Sequence, residues 1–229
     1  TLLEAVKTIS EQPITVEVDT INGLAKISYQ NGLFSLPIDN SDEYPQTQEV
    51  DANANTIIIS SNILADNITR SVFATGQEEI RRVMNGIYFD LTPECLSIVA
   101  TDGHKLVRNK VLNITSESPA SFILPKKPAT LLKGMLNKDG GDVVIKFDDR
   151  NAEISFSDGT MTCRLIEGRY PNYNSVIPAS NPNQLRVDRL ALLSALRRVQ
   201  PFANGSSNLI RFRIDNGVLQ LDAEDFDFS

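Results

Sequence analysis

Read for periodicity, the chain alternates between stretches with an apolar residue at every second position, as in half-buried strands, and stretches with apolar residues at helical spacing. Helical spacing occurs first in residues 1–10, through Leu2, Leu3, Val6 and Ile9, and Pro13 stops it from continuing much further. A second helix is predicted from Asn62, placed as an N-cap, with an apolar face of Ile63, Leu64, Ile68, Val72 and Phe73. A third carries Leu131, Leu132, Met135 and Leu136, with Pro128 in its first turn and the Gly140-Gly141 pair ending it. A fourth covers residues 189–202. Alternating runs such as ITVEV (14–18), IYFDL (87–91), VVIKF (143–147) and IRFRI (210–214) lie between them as strands. Asn22-Gly23, Asn31-Gly32, Asp158-Gly159 and Asn216-Gly217 mark tight hairpin turns that tolerate positive φ.

These elements repeat. The series Thr1, Leu2, Leu3, then ITVEV, AKISYQNG (25–32), Tyr44 and Pro45 recurs about 127 residues later as Thr130, Leu131, Leu132, VVIKF, AEISFSDG (152–159), Tyr170 and Pro171. A second pair interleaves with the first: the helix of residues 62–75 with IYFDL and CLSIVATDG (95–103) matches residues 189–202 with IRFRI and VLQLDAED (218–225). Two unit types therefore alternate, each one helix plus several antiparallel strands. Two such units make an α+β domain of about 127 residues, with helices on one face of its sheets.

Composition narrows the reading. With 41% hydrophobic and 22% charged residues in 229, the chain is expected to be globular. Cys95 and Cys163 both fall inside strand patterns, and no apolar run approaches twenty residues, so free thiols, a cytoplasmic location and no membrane partner are expected. The net charge of -7 argues at first against nucleic acid, but its distribution argues the other way. Residues 126–138 carry four lysines and no acid, and residues 184–204 carry Arg186, Arg189, Arg197 and Arg198 against Asp188 alone. Acid is spread over strands and turns, as at Asp148 and around Glu224. Basic helices at equivalent points of a repeat suggest a phosphate-facing surface.

The stretch ATDGHKLVR (100–108) carries a resemblance to the sliding clamp, the β subunit of bacterial DNA polymerase III. RRVMNGIYF (81–89), FILPKK (122–127), RLIEGRYPNYNSVIP (164–178) and the helix from Arg186 resemble the same family, so the similarity spans essentially the whole chain. It implies a DNA-clamp fold with helices on the pore face and sheets outside, and a head-to-tail homodimeric ring around double-stranded DNA that tethers a polymerase. Residues 1–50 would be the second half of the first domain, 51–183 the complete middle domain and 184–229 the first half of the third. A whole member is longer at both ends, so a fragment of a longer protein is expected.

Three surfaces follow from the resemblance. Lys126 and Lys127 align with the pore lining, and Arg81, Arg82, Lys133, Arg197 and Arg198 join them by charge and helix position as DNA contacts. A pocket for the partners' short Gln-Leu-Phe type motif would be lined by Met84, Thr101, Gly103, His104, Lys105, Leu106, Pro171 and Val176. Its users would be the polymerase catalytic subunit, the clamp loader and other motif-bearing proteins. Lys105 stands where arginine is common in the family, which loses bidentate and stacking geometry. Phe34, Leu36 and Phe202 sit where neighbouring subunits join, although alternation also allows Phe34 and Leu36 to face a core.

A catalytic reading has one foothold, the sole histidine His104 two residues from Asp102. No second histidine, phosphate loop, metal-spaced cysteine pair or nucleophile elbow accompanies it, so no enzyme, metal or cofactor is expected. The remaining alternative is a non-catalytic protein-interaction module that does not encircle DNA.

Overall fold

The computed structural model describes residues 2–44, 49–136 and 140–225. Thr1, Pro45 and Lys138, which enter the sequence patterns above, lie outside the described residues. The chain separates into two compact units, Thr1–Pro171 and Asn172–Ser229.

The first unit opens with a short helix α1 (Leu2–Lys7) and an antiparallel meander of β1 (Thr15–Asp19), β2 (Leu24–Tyr29) and β3 (Gly32–Pro37). After it come β4 (Asn55–Ser60), α2 (Ser61–Ser71), β5 (Gly86–Leu91), β6 (Leu96–Thr101), β7 (Leu106–Val111) and β8 (Ala120–Pro125). The unit closes with α3 (Lys126–Met135), β9 (Asp142–Phe147), β10 (Asn151–Phe156) and β11 (Gly159–Arg164). Two four-stranded antiparallel sheets result, ordered β7-β6-β5-β8 and β11-β10-β9-β4. The repeat is visible as structure, because β9-β10-β11 is a second meander of the β1-β2-β3 kind, with Ile154 buried at the place of Ile27.

Helices α2 and α3 pack on each other and on both sheets, so helices and sheets share one core. Leu64 and Ile68 of α2 and Ala129 and Leu132 of α3 are fully buried there. Phe122 joins the two sheets: its ring stacks on Phe89 at 4.6 Å and tilts against Phe147 at 4.4 Å. Strand β6 is buried along its whole length, which alternation alone does not predict, because a further segment covers its outer face.

The second unit contains α4 (Arg189–Val199) and the hairpin of β12 (Arg211–Asp215) and β13 (Val218–Asp222). The Asp188 side chain caps α4 by accepting the Ala191 N–H at 2.8 Å.

Several local expectations need correction. Helix α2 starts two residues early: Ser60 is the N-cap and Asn62 lies inside the first turn. Its Ile63 and the following Phe73 face solvent, as do Leu131 and Met135 of α3, because the buried stripe is only as wide as the helix pair. Helix α3 ends at Met135, capped by extended Leu136, rather than at the glycine pair. Gly140 and Gly141, at φ +100° and +111°, instead lead into β9, and the Gly141 carbonyl accepts the Ser61 N–H at 2.9 Å. Of the four hairpins, only Asn216-Gly217 is a two-residue turn with both residues at positive φ. Gly32 and Gly159 open the returning strands, so those loops are Gln30-Asn31 and Ser157-Asp158. The β1–β2 connection is longer and held by Asp19, whose carboxylate accepts the Ile21 and Asn22 N–H groups.

Candidate functional site

The turn between β6 and β7 is built by its own side chains. Thr101 is buried, and its hydroxyl donates to the Lys105 carbonyl at 2.7 Å while accepting the Gly103 N–H at 3.1 Å. Asp102 Oδ1 accepts the backbone N–H groups of His104 and Lys105, both at 2.9 Å, and Oδ2 pairs with Lys105 Nζ. Gly103 takes φ +91°, and a Cβ there would meet Arg81 Nη1 at 3.0 Å. The sequence Thr-Asp-Gly-His-Lys therefore encodes a rigid turn that presents Leu106, half-buried at the head of β7, next to Thr101 across the ladder.

The Lys105 ammonium and the two N–H groups hold the Asp102 carboxyl well below the usual carboxylate range. A carboxylate with a lowered folded pKa stabilises the fold above its unfolded value, 3.8 for an ordinary aspartate here, and that stabilisation is lost as pH falls through the folded value. Asp102→Asn is thus expected to be less stable than the parent at pH 7, by a deficit that begins to shrink as pH falls below 3.8 and is still partly present at pH 3. Urea unfolding at pH 7 and pH 3 measures it. The Asp102 carboxylate is occupied by the backbone and Lys105, and among the described residues no hydrogen bond runs from it to the His104 imidazole.

Residues 165–171 form a strap across the outer face of the β7-β6-β5-β8 sheet. The Ile166 N–H reaches the Ile123 carbonyl of β8 at 3.1 Å. Gly168, at φ +127°, passes so close to Val83 that a Cβ would lie 2.9 Å from its Cγ1. Tyr170 stacks on Tyr88 at 4.5 Å with rings 4° from parallel, and its hydroxyl accepts the Thr101 N–H at 3.1 Å. Burial pushes the Tyr170 phenol up to about 12. The strap thus brings Pro171, the last residue of the first unit, into sequence continuity with a side chain fastened to the turn.

On the side of the turn bearing His104 and Lys105 lies a cleft of about 260 Å³, lined among others by Phe73, Glu78, Arg81, Met84 and Lys126. Met84, His104 and Lys105 of the expected pocket therefore meet in one cleft, while Thr101, Gly103 and Leu106 form the turn and ladder beside it. Val176 belongs to the second unit and is exposed. Arg81, expected among the DNA contacts, pairs with Glu78 at 2.9 Å and lies beside Gly103 of the turn, its side chain still substantially exposed. Sequence reasoning missed Asp102 and Tyr170 as structural members of the site. The Asx-turn spacing of Asp102 before a glycine was the available signal for the first.

The remaining basic residues divide. Lys127 stands on the outward ridge of α3 with Thr130 and Gly134, all exposed. Lys126 and Lys133, seven residues apart and so within about 20° around the helix axis, are half-buried on its flank. Arg82 is exposed on the short 3-10 turn Arg82–Met84. Arg197 and Arg198 occupy the last turn of α4, where cations complement the helix dipole. Phe34 and Leu36 lie on the half-buried face of β3, Phe34 opposite Ile27 and 5.3 Å from the Tyr29 ring, whereas Phe202 is exposed.

Residues 58–172 match the family model for the central domain of the DNA polymerase III beta subunit. The chain belongs to that family. The beta sliding clamp of Synechococcus elongatus is 27% identical over 218 residues, covering 92% of this chain and 58% of the relative. That of Borreliella burgdorferi is 33% identical over 144 residues, 62% of this chain and 37% of the relative. Among solved structures, the DNA polymerase III subunit beta of Pseudomonas aeruginosa superposes with a TM-score of 0.90 at 24% identity, covering 99% of this chain and 62% of that one. A sliding clamp from Bartonella birtlesii gives 0.85 at 26% identity over 96% of this chain and 60% of that one. The fold is therefore the clamp fold, and the chain spans less than two thirds of the length of these relatives.

Proposed function

We propose that this protein acts as a DNA sliding clamp, a ring-forming processivity factor that surrounds duplex DNA without reading its sequence and tethers a polymerase. The observation that carries the reading is the family match over residues 58–172, which contains both the acid-free helix α3 and the Thr101–Leu106 turn. On this reading the protein performs no chemistry of its own, and ATP hydrolysis belongs to a loader. Residues 1–50 belong to the end of a first clamp domain, 51–183 to the middle domain and 184–229 to the start of a third, with homodimeric ring closure through the outer domains.

Lys127 from the ridge of α3, Lys126 and Lys133 from its flank, Arg82, and Arg197 and Arg198 supply phosphate contacts. Such contacts neutralise phosphates and release counterions, so binding is weak and falls with salt. The peptide pocket is the second site. Leu106 and Pro171 take the apolar anchors of a partner motif, and the ordered Thr101–Lys105 turn sets its orientation.

Lys126→Glu/Lys127→Glu is expected to weaken DNA retention and to flatten the dependence of log affinity on log salt by about one unit or more per lost phosphate contact. Measuring that slope between low and moderate salt decides the matter. An unchanged slope would remove α3 from the DNA surface and favour the interaction module that does not encircle DNA.

A further inference from the structure

On the partner-pocket reading above, the turn supplies one wall through Leu106 and the strap the other through Pro171, and a side-chain hydroxyl of the strap bonds to the turn. Thr101 opens the turn that places Leu106, while Tyr170 immediately precedes Pro171. Between them runs a buried hydrogen bond, Thr101 N–H to Tyr170 Oη at 3.1 Å. Tyr170 is 7% exposed, and its ring position is fixed from the other side by the parallel stack on Tyr88. The hydroxyl is therefore held by the sheet on which the turn itself is built.

We infer that Tyr170 is a positioning residue for partner binding, its hydroxyl locking the Pro171 wall in register with the Thr101–Leu106 wall. The inference rests on the partner-pocket reading given above. Its physical basis is local. The Thr101 N–H points out of the β6–β7 ladder, where Thr101 pairs with Leu106, and Tyr170 is its acceptor. Removing that acceptor leaves a buried donor unsatisfied, which costs more than the bond contributes when made. The turn can recover solvation only by opening, and opening separates the two walls. A pocket assembled before the ligand arrives avoids the ordering cost that a loose one incurs at binding.

Tyr170 also serves as packing, so the test separates packing from positioning. Tyr170→Phe keeps the ring, the Tyr88 stack and the volume, and removes only the acceptor. Two quantities are read on the parent and on this variant: amide hydrogen exchange at Thr101, with Ile145 in the other sheet as reference, and affinity for a fluorescent peptide bearing a Gln-Leu-Phe type motif. The expected result is Thr101 exchange faster by about tenfold or more with Ile145 unchanged, accompanied by peptide affinity lower by about fivefold to tenfold. Faster Thr101 exchange with affinity at the parent level overturns the positioning role and leaves the pocket in place. Exchange and affinity both unchanged overturn the lock itself. A parent chain that binds no peptide overturns the pocket reading and the positioning role together.

Discussion

Phe89→Ala is expected to lower the stability of the first unit by about 3–5 kcal/mol, the range for deleting a buried phenyl group. Phe89 is 1% exposed at the centre of β5, with its ring stacked on Phe122. The cavity has little means of closing, because β5 is hydrogen-bonded on both sides, to β6 and to β8, and α3 packs on it. Phe122 would also lose the partner that holds it against Phe147, the contact that ties one sheet to the other. The urea midpoint should fall with little change in the slope of the transition. A loss below about 1 kcal/mol would mean that the two sheets do not share the core described here.

The second large effect concerns binding. Leu106→Asp is expected to lower affinity for a clamp-binding peptide by about a hundredfold or more, since it removes an apolar contact worth about 1.5–3 kcal/mol and adds a charge that docking would desolvate. Leu106 is half-buried at the end of a ladder, so the fold should tolerate the change, and the unfolding midpoint should stay near that of the parent. Fluorescence anisotropy with both proteins separates the two quantities. Equal affinity in the variant would move the pocket away from this turn. Together with Phe89→Ala, the experiment distinguishes residues that build the domain from those that face a partner.

Much of the architecture was legible because the physics behind it is periodic. The match of AKIS (25–28) with AEIS (152–155) marks equivalent central strands of two meanders, and Ile27 and Ile154 are both buried there. Asn216-Gly217 read correctly as a hairpin because positive φ at both positions leaves few alternatives. Strand β4 was less legible, since TIII (56–59) is a short continuous apolar run without clear alternation. The helix faces were misread where the width of the buried stripe, rather than composition, decides which apolar residues turn inward, as at Ile63 and Leu131.

The site was legible in part for a similar reason. Thr101, Asp102 and Gly103 are local, and their bonds run to residues two to four positions away. The strap is not local: Tyr170 meets a residue 69 positions earlier, and no spacing rule announces such a contact. Arg81 looked like one more basic residue until the chain placed it between Glu78 and Gly103. Charge alone does not announce an ion pair such as that of Arg81 with Glu78.

The central claim is topological, since a clamp stays on DNA by surrounding it rather than by gripping it. Its most direct test is retention of the loaded protein on nicked circular duplex DNA, followed by gel filtration before and after the circle is cut once. The account predicts co-elution with the circle at moderate salt and release on linearisation, as the ring slides off the ends. Retention that is the same on circular and linear DNA would contradict it.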